Sequence, residues 1–149
     1  MNVLFVCTGN TCRSPMAEAL LKHNRSDVQV KSAGIYANDG GGMNGHAETI
    51  LEERGIEVNH IAKSVTPELI AWADIILTMT SSHKMLLNTQ FPYGADKVFT
   101  LIEYANQQEG STENTSLDID DPFGQSLHVY RKTAEQLEYY IQALQNSKK

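Results

Sequence analysis

The stretch Cys7-Thr8-Gly9-Asn10-Thr11-Cys12-Arg13-Ser14-Pro15 decides how this chain folds. The apolar run from Val3 to Val6 precedes it and a helical pattern of apolar residues follows it, so the stretch is predicted to turn from a strand into a helix. Pro15 suits the first helical position and Ser14 the N-cap before it, which points the free amides of the helix back into the turn. The turn is therefore predicted to form a cradle for an anion.

A thiol and a guanidinium share this cradle. Gly9 is expected to take a positive φ that lets the backbone close around a ligand, while the helix dipole and Arg13 add positive charge that matches phosphate oxygens. A cysteine beside a cation at a helix N-terminus is expected to be a thiolate at neutral pH. A cysteine at a strand end more often only fills the core. The assignment of Cys7 as a nucleophile therefore depends on the strand, glycine turn, helix start and arginine occurring together.

The same stretch, continued through Met16-Ala17-Glu18-Ala19, resembles the signature of the low-molecular-weight protein tyrosine phosphatases. Ser32-Ala33-Gly34 and Asp121-Pro122-Phe123-Gly124 support the resemblance, which spans essentially the whole chain. The resemblance implies a phosphocysteine intermediate on Cys7, with Arg13 and Asp121 completing the catalytic set. It also implies that the phosphate is bound by the loop itself, through Thr8, Gly9, Asn10, Thr11, Cys12 and Ser14.

Asp121 is the candidate general acid. It precedes Pro122, whose ring restrains the backbone around the carboxylate. An Asp-Pro pair before a glycine is most often only a turn, but a phosphatase with a thiolate nucleophile requires an acid that protonates the leaving group. The resemblance assigns this role to Asp121. Asp118 and Asp120 are interpreted as solvated acidic neighbours.

Two positions differ from the tyrosine-directed members of the family. Those members usually carry a bulky aliphatic residue in place of Thr11, and paired tyrosines in place of Phe123-Gly124. The combination in this chain resembles the bacterial branch that acts on phosphoarginine in proteins, where the threonine helps to select the guanidinium group. A hydroxyl can pair with a polar N–H that an aliphatic side chain would leave unsatisfied. The substrates are therefore predicted to be phosphorylated proteins, with phosphoarginine preferred and phosphotyrosine as the alternative.

Two further functions stay open at this point. Arsenate reductases have a similar loop but use additional downstream cysteines for a disulfide cascade, and the chain has none after Cys12. A non-catalytic phosphate-binding module would need the loop amides and Arg13 but not Asp121. Cys12 is either a small loop side chain or, by the resemblance, a second loop cysteine that traps an oxidised nucleophile in a reversible disulfide.

Chain length, net charge and residue spacing limit the partners, the cofactors and the cellular compartment that the sequence predicts. A chain of 149 residues fits one domain, 1–149, that needs no structural disulfide. The net charge of -6 disfavours nucleic acids and anionic membranes as partners. The start Met1-Asn2-Val3 resembles neither a signal peptide nor a membrane span, so the chain is predicted to be cytoplasmic. No metal or cofactor is expected, because the histidines lack ligand spacing. Surface or capping roles are predicted for His23, His46, His60, His83 and His128.

Strands and helices are predicted to alternate along the chain. The strands are expected at Asn2 to Val6, Val28 to Ser32, Asp74 to Met79 and Val98 to Ile102. The first helix is expected from Pro15 to about Asn24, and the second around Ala47 to Leu51, with Gly55 as its C-terminal cap. A short third helix is expected to start at Thr66-Pro67-Glu68. The fourth is expected from Ser81 or Ser82 to about Gln90, and the last over Leu127 to Ile141. Ile35 to Gly45 is predicted to be a flexible loop, and Glu103 to Gln125 a polar, acidic segment.

This alternation predicts an α/β three-layer sandwich, in which helices cover both faces of a parallel sheet. A four-stranded sheet in the order 2-1-3-4 is expected, and the order is guided by the family resemblance. In that order a crevice opens at the loop after the first strand, where ligands bind in open α/β sheets. The loops after strands two and four leave from the same edge. They are expected to bring Ser32 to Gly45 and the acidic segment around Asp121 within reach of Cys7. Tyr36 and Phe123 are interpreted either as walls of the pocket mouth or as ordinary packing residues.

Overall fold

The structure of the protein, a computed structural model, describes residues 1–37, 39–57, 59–109 and 117–146. Val58, which the sequence places after the second helix, and residues 110–116 of the predicted acidic segment lie outside these ranges. Within them, no helix has the length and apolar character needed to cross a membrane.

In the described part of the chain, strands and helices alternate as expected. The strands are β1 (Asn2–Cys7), β2 (Gln29–Gly34), β3 (Ile75–Thr78) and β4 (Val98–Thr100). The helices are α1 (Arg13–Asn24), α2 (Gly45–Glu53), α3 (Pro67–Trp72), α4 (Ser81–Gln90), α5 (Leu101–Glu109) and α6 (Leu127–Asn146), and a short 3-10 helix spans Pro92–Lys97.

The strands form one parallel sheet in the order β2-β1-β3-β4, which confirms the predicted α/β fold. In this sheet Cys7 pairs with Gly34 of β2, and Val6 pairs with Thr78 of β3. The carboxyl ends of these three strands therefore meet at one edge. The loop that begins at Cys7 leaves the sheet at that edge.

The central strand β1 is buried on both faces. Its alternate side chains point to opposite sides, as they do in any strand. Val3 and Phe5 belong to a large core that includes residues of α1, α2, α5 and α6. Leu4 and Val6 belong to a smaller core that includes residues of α3 and α4. Packing on both faces holds the end of β1, and with it Cys7, in a fixed position.

The start of α1 differs from the expected one. The helix begins at Arg13, two residues before Pro15, and its N-cap is Cys12, whose side chain makes no capping hydrogen bond. The prediction that Ser14 is the N-cap is wrong, because the Ser14 hydroxyl is engaged by Cys7 and Asn10 instead. The prediction of a cap at Ser81 or Ser82 for α4 is also wrong. The N-cap is Thr80, whose hydroxyl accepts a hydrogen bond from the amide of His83.

Two segments differ from the expected elements. The fourth strand ends at Thr100, not at Ile102, and α5, for which no helix was predicted, occupies the beginning of the segment described as polar and acidic. A capping box explains both differences. The Glu103 amide donates to Thr100 Oγ1 at 3.0 Å, and the Glu103 carboxylate accepts from the Thr100 amide at 2.7 Å. In addition, Gly45 is helical rather than part of the preceding loop.

Candidate active site

The loop from Cys7 to Ser14 packs directly against the end of β2. The amide of Ile35 donates to the Cys7 carbonyl at 3.0 Å, and the amide of Tyr36 donates to the Thr8 carbonyl at 2.9 Å. A Cβ atom at Gly34 would lie 2.6 Å from that same Thr8 oxygen. Only glycine therefore allows the loop to approach the strand this closely.

Asn10 makes the sharp turn in the loop. Its φ is +58°, in the left-handed region, whereas Gly9 has no positive φ, so the expectation for Gly9 is wrong. The Asn10 side chain is fully buried, and its Nδ2 donates to Ser14 Oγ at 3.0 Å and to Ser32 Oγ at 2.9 Å. Its Oδ1 accepts from the amide of Lys63 at 3.0 Å. Asparagine tolerates this conformation, and here its side chain holds the loop from behind.

The Cys7 sulfur lies among hydrogen-bond donors. The amide of Asn10 is 3.3 Å from Cys7 Sγ, and Ser14 Oγ is 2.8 Å from it. Because Ser14 Oγ already accepts from the Asn10 side chain, the single hydrogen of its hydroxyl is available for the sulfur. Charge-assisted bonds of this kind are stronger than those to a neutral acceptor. The loop thus provides an environment that suits a thiolate.

Arg13 and Asp121 approach each other above the loop. The buried Arg13 donates from Nη1 to the Ile119 carbonyl at 2.9 Å, and its Nη2 lies 3.6 Å from Asp121 Oδ2. The Asp121 side chain is 58% exposed, and its Oδ1 accepts from the amide of Phe123 at 3.1 Å. This second bond closes a local turn, which the Asp-Pro sequence predicted. The Ile119 carbonyl thus holds the Arg13 guanidinium, while the Asp121 carboxylate beside it remains exposed to solvent.

A cavity of about 250 Å³ lies between the loop and the Asp121 segment. It is lined by Cys7, Thr8, Gly9, Thr11, Cys12, Arg13, Asp121 and Phe123. Most of the predicted site residues therefore share one cavity, whereas the side chains of Asn10 and Ser14 lie behind it. Of the two roles considered for Phe123 and Tyr36, Phe123 takes the first and lines the cavity. The exposed Tyr36 side chain does not line it, and Tyr36 contacts the loop through its backbone.

Cys12 has a partner that the sequence did not indicate. Its Sγ lies 3.4 Å from the hydroxyl of Tyr130, a fully buried residue of α6, and 3.7 Å from Thr11 Oγ1. Burial raises the pKa of the Cys12 thiol, although both hydrogen bonds oppose the shift. The sequence pattern placed Tyr130 only within the predicted closing helix, Leu127 to Ile141. Its hydroxyl connects that helix to the loop.

Two histidines also contact the loop. The predicted surface or capping role is wrong for His83, which is buried and whose Nε2 lies 2.8 Å from Thr8 Oγ1. Burial, with a further contribution from the positive charge of Arg13, lowers the pKa of His83 to about 4. The half-buried His60 places its Nε2 2.7 Å from the Asn10 carbonyl. In the described ranges, no three His, Cys, Asp or Glu residues are grouped to hold a metal ion.

Comparisons with known proteins agree with this geometry. A family model described as low molecular weight phosphotyrosine protein phosphatase matches residues 2–149. The protein-arginine-phosphatase of Bacillus subtilis (strain 168) is 43% identical over 148 residues, which cover 97% of this chain and 94% of the relative. The low molecular weight protein-tyrosine-phosphatase PtpB of Staphylococcus aureus is 38% identical over 137 residues, which cover 92% and 91%. The solved structure of a YwlE arginine phosphatase mutant with a phosphorylated active site serine has a TM-score of 0.89 and 42% identity, covering 97% of this chain and 93% of that one.

Proposed function

This chain belongs to the low molecular weight phosphotyrosine protein phosphatase family and is a cysteine-dependent protein phosphatase, and we propose that it hydrolyses phosphoarginine in proteins through a phosphocysteine on Cys7. The observation that carries the proposal is the position of Thr11 in the cavity that also contains Cys7 and Asp121. A residue that carries a hydroxyl therefore borders the cavity in which the leaving group would lie.

In the first step the Cys7 thiolate attacks phosphorus in line with the leaving group. A sulfur–phosphorus bond forms, and the phosphorus–nitrogen bond of phosphoarginine breaks. Arg13 and the amides of the loop stabilise the charge on the phosphoryl oxygens. Asp121 protonates the departing nitrogen, so that arginine leaves with its full set of hydrogens. The exposed position of Asp121 at the cavity supports this role.

In the second step water attacks the phosphocysteine. The sulfur–phosphorus bond breaks and its electron pair returns to Cys7 Sγ, while Asp121 takes the proton of the water. The donors around the sulfur, from Asn10 and Ser14, are in place to accommodate the regenerated thiolate. The product is inorganic phosphate.

Thr11 is the basis for preferring phosphoarginine to phosphotyrosine. Phosphoarginine presents polar N–H groups next to the phosphorus, and phosphotyrosine presents an apolar ring. A site that hydrogen-bonds a polar substrate rejects an analogue that leaves its polar groups unpaired. The printed name of the Bacillus subtilis relative, protein-arginine-phosphatase, supports the same substrate. The Staphylococcus aureus relative, named as a tyrosine phosphatase, makes phosphotyrosine the second candidate.

The other two functions account for fewer features of the chain. An arsenate reductase would need a further cysteine after Cys12, and the sequence has none. A module that only binds phosphate would not require Asp121 at the cavity. Turnover of para-nitrophenyl phosphate by the wild type, and its loss in Cys7→Ser with retained binding of inorganic phosphate, tests the catalytic proposal. Activity of Cys7→Ser equal to that of the wild type would overturn it.

The proposal extends to a single domain, residues 1–149, acting on proteins in the cytoplasm. Cys7 and Cys12 are both free thiols, which suits a reducing compartment. The net charge of -6 supports protein substrates over a nucleic-acid partner, because nucleic-acid binding draws on positive charge.

A further inference from the structure

His83 contacts the loop from outside the proposed catalytic set. It lies in the first turn of α4, where its amide donates to Thr80 Oγ1 at 3.1 Å, and the residue is 5% exposed. Its Nε2 lies 2.8 Å from Oγ1 of Thr8, the residue that follows Cys7 and lines the cavity. We propose that His83 is a positioning residue that fixes the Thr8 hydroxyl so that its hydrogen points to the bound phosphoryl group.

Packing alone does not account for a histidine at this position. The other ring nitrogen of His83, Nδ1, is buried and has no hydrogen-bond partner among the described residues. A buried nitrogen without a partner lowers stability, whereas an apolar ring of similar size would avoid this cost. The hydrogen bond to Thr8 is therefore the polar contact that distinguishes histidine from phenylalanine here.

The unpartnered nitrogen also indicates where the ring carries its hydrogen. His83 is neutral at neutral pH, because burial and the charge of Arg13 lower its pKa, with Asp118 and Asp121 opposing. A neutral imidazole has one N–H and one bare nitrogen. Among main-chain groups, buried N–H groups without a partner are rarer than under-satisfied carbonyl oxygens, and by the same preference we assign Nδ1 as the bare nitrogen. Nε2 then donates to Thr8 Oγ1.

This assignment leaves the Thr8 hydroxyl free to donate. Its oxygen accepts the hydrogen of His83, and its own hydrogen remains available to a ligand in the cavity that Thr8 lines. If the ring carried its hydrogen on Nδ1 instead, the Thr8 hydroxyl would have to donate its hydrogen to Nε2. It could then not donate to a bound phosphate. The inference rests on the proposed function, since it requires the phosphoryl group to lie beside Thr8.

The test compares His83→Phe, which keeps the size of the ring, with His83→Gln, whose side-chain amide restores an N–H donor. Competitive inhibition by inorganic phosphate is measured at pH 7 together with kcat/KM for para-nitrophenyl phosphate. His83→Phe is expected to weaken phosphate inhibition by roughly 3- to 10-fold, the range for one lost hydrogen bond, and His83→Gln should recover most of it. The inhibition constant does not depend on the fraction of folded enzyme, so a merely structural role would leave it unchanged.

The exposed Thr8 supplies a second variant that does not disturb the core. Thr8→Val should lose the same factor in phosphate inhibition, and adding His83→Phe to it should have no further effect. Wild-type inhibition in Thr8→Val, or additive losses in the double variant, would overturn the inference. Absence of any phosphate inhibition or turnover in the wild type would instead contradict the proposed function, so the two failures are distinguishable.

Discussion

Ser14 Oγ lies 2.8 Å from Cys7 Sγ and links the strand that carries the thiol to the first turn of α1. Asn10 donates to the same hydroxyl, so the Ser14 hydrogen is directed to the sulfur. The carboxyl end of β1, the turn at Asn10 and the helix start thus act on one atom. This relationship leads to the first prediction.

Ser14→Ala should slow both turnover and alkylation of Cys7 by iodoacetamide at neutral pH. The thiolate loses a charge-assisted hydrogen bond, whose typical contribution of about 1.5–3 kcal/mol corresponds to at least a 10-fold effect. Rates are compared with those of the wild type and of Ser81→Ala, a substitution of an exposed serine. Alkylation of Ser14→Ala at the wild-type rate would show that the hydroxyl does not support the thiolate.

Asp121→Asn should reduce turnover by roughly 100- to 10,000-fold, the usual range for general acid–base catalysis. The loss should be smaller for para-nitrophenyl phosphate, whose leaving group needs little protonation, than for unactivated phosphates. Asp120→Asn is the matched control, since it removes a neighbouring carboxylate. Equal losses with both kinds of substrate would mean that Asp121 only shapes the turn.

The alternation of strands and helices was sufficient to predict a parallel α/β sheet, whereas the family resemblance guided the strand order and assigned the role of Asp121. That Cys7, Arg13 and Asp121 lie close together follows from the strand ends, because the loops that carry them leave the same edge of the sheet. Long-range contacts were not predictable, and Tyr130 with Cys12 and His83 with Thr8 are separated by 118 and 75 residues. The sequence pattern placed Tyr130 only within the closing helix, and it assigned His83 only a surface or capping role.

The conformation inside the loop was also predicted incorrectly. Glycine is the usual residue at a positive φ, but Asn10 takes this position because its side chain forms hydrogen bonds with three groups at once, the hydroxyls of Ser14 and Ser32 and the amide of Lys63. The capping box between Thr100 and Glu103 was overlooked because Leu101 and Ile102, the first residues of α5, extend the apolar pattern of the fourth strand.

His83 should make the free energy of unfolding depend on pH. Its pKa is about 4 in the folded chain and 6.5 when unperturbed, so the unfolded chain binds a proton first as the pH falls. This stabilising contribution is complete above pH 6.5 and is lost between 6.5 and about 4, with a limiting slope of about 1.4 kcal/mol per pH unit. Urea unfolding from pH 7 to pH 5 should show a steeper decline for the wild type than for His83→Gln. Parallel curves would contradict the burial of a neutral His83.

Peroxide should join Cys7 to Cys12 in a disulfide. The nucleophile would be oxidised to a sulfenic acid, which the Cys12 thiol then attacks with loss of water. Activity should return with a thiol reductant, and mass spectrometry should detect the linkage. Sulfinic acid on Cys7 without a link to Cys12 would rule out this protective reaction.

The substrate preference tests the central claim most directly. Thr11 lines the cavity with Cys7 and Asp121, and Thr11→Ile removes the hydroxyl and adds apolar surface. Phosphoarginine should then lose a polar partner at a cost of roughly 1–3 kcal/mol, while the phosphotyrosine ring gains contact.

The measurement is kcat/KM for phosphoarginine and phosphotyrosine peptides of matched sequence, in the wild type and in Thr11→Ile. The wild type should prefer phosphoarginine, and the preference should fall or invert in the variant. A wild type that prefers phosphotyrosine, or a ratio that Thr11→Ile leaves unchanged, would contradict the assignment of phosphoarginine as the substrate.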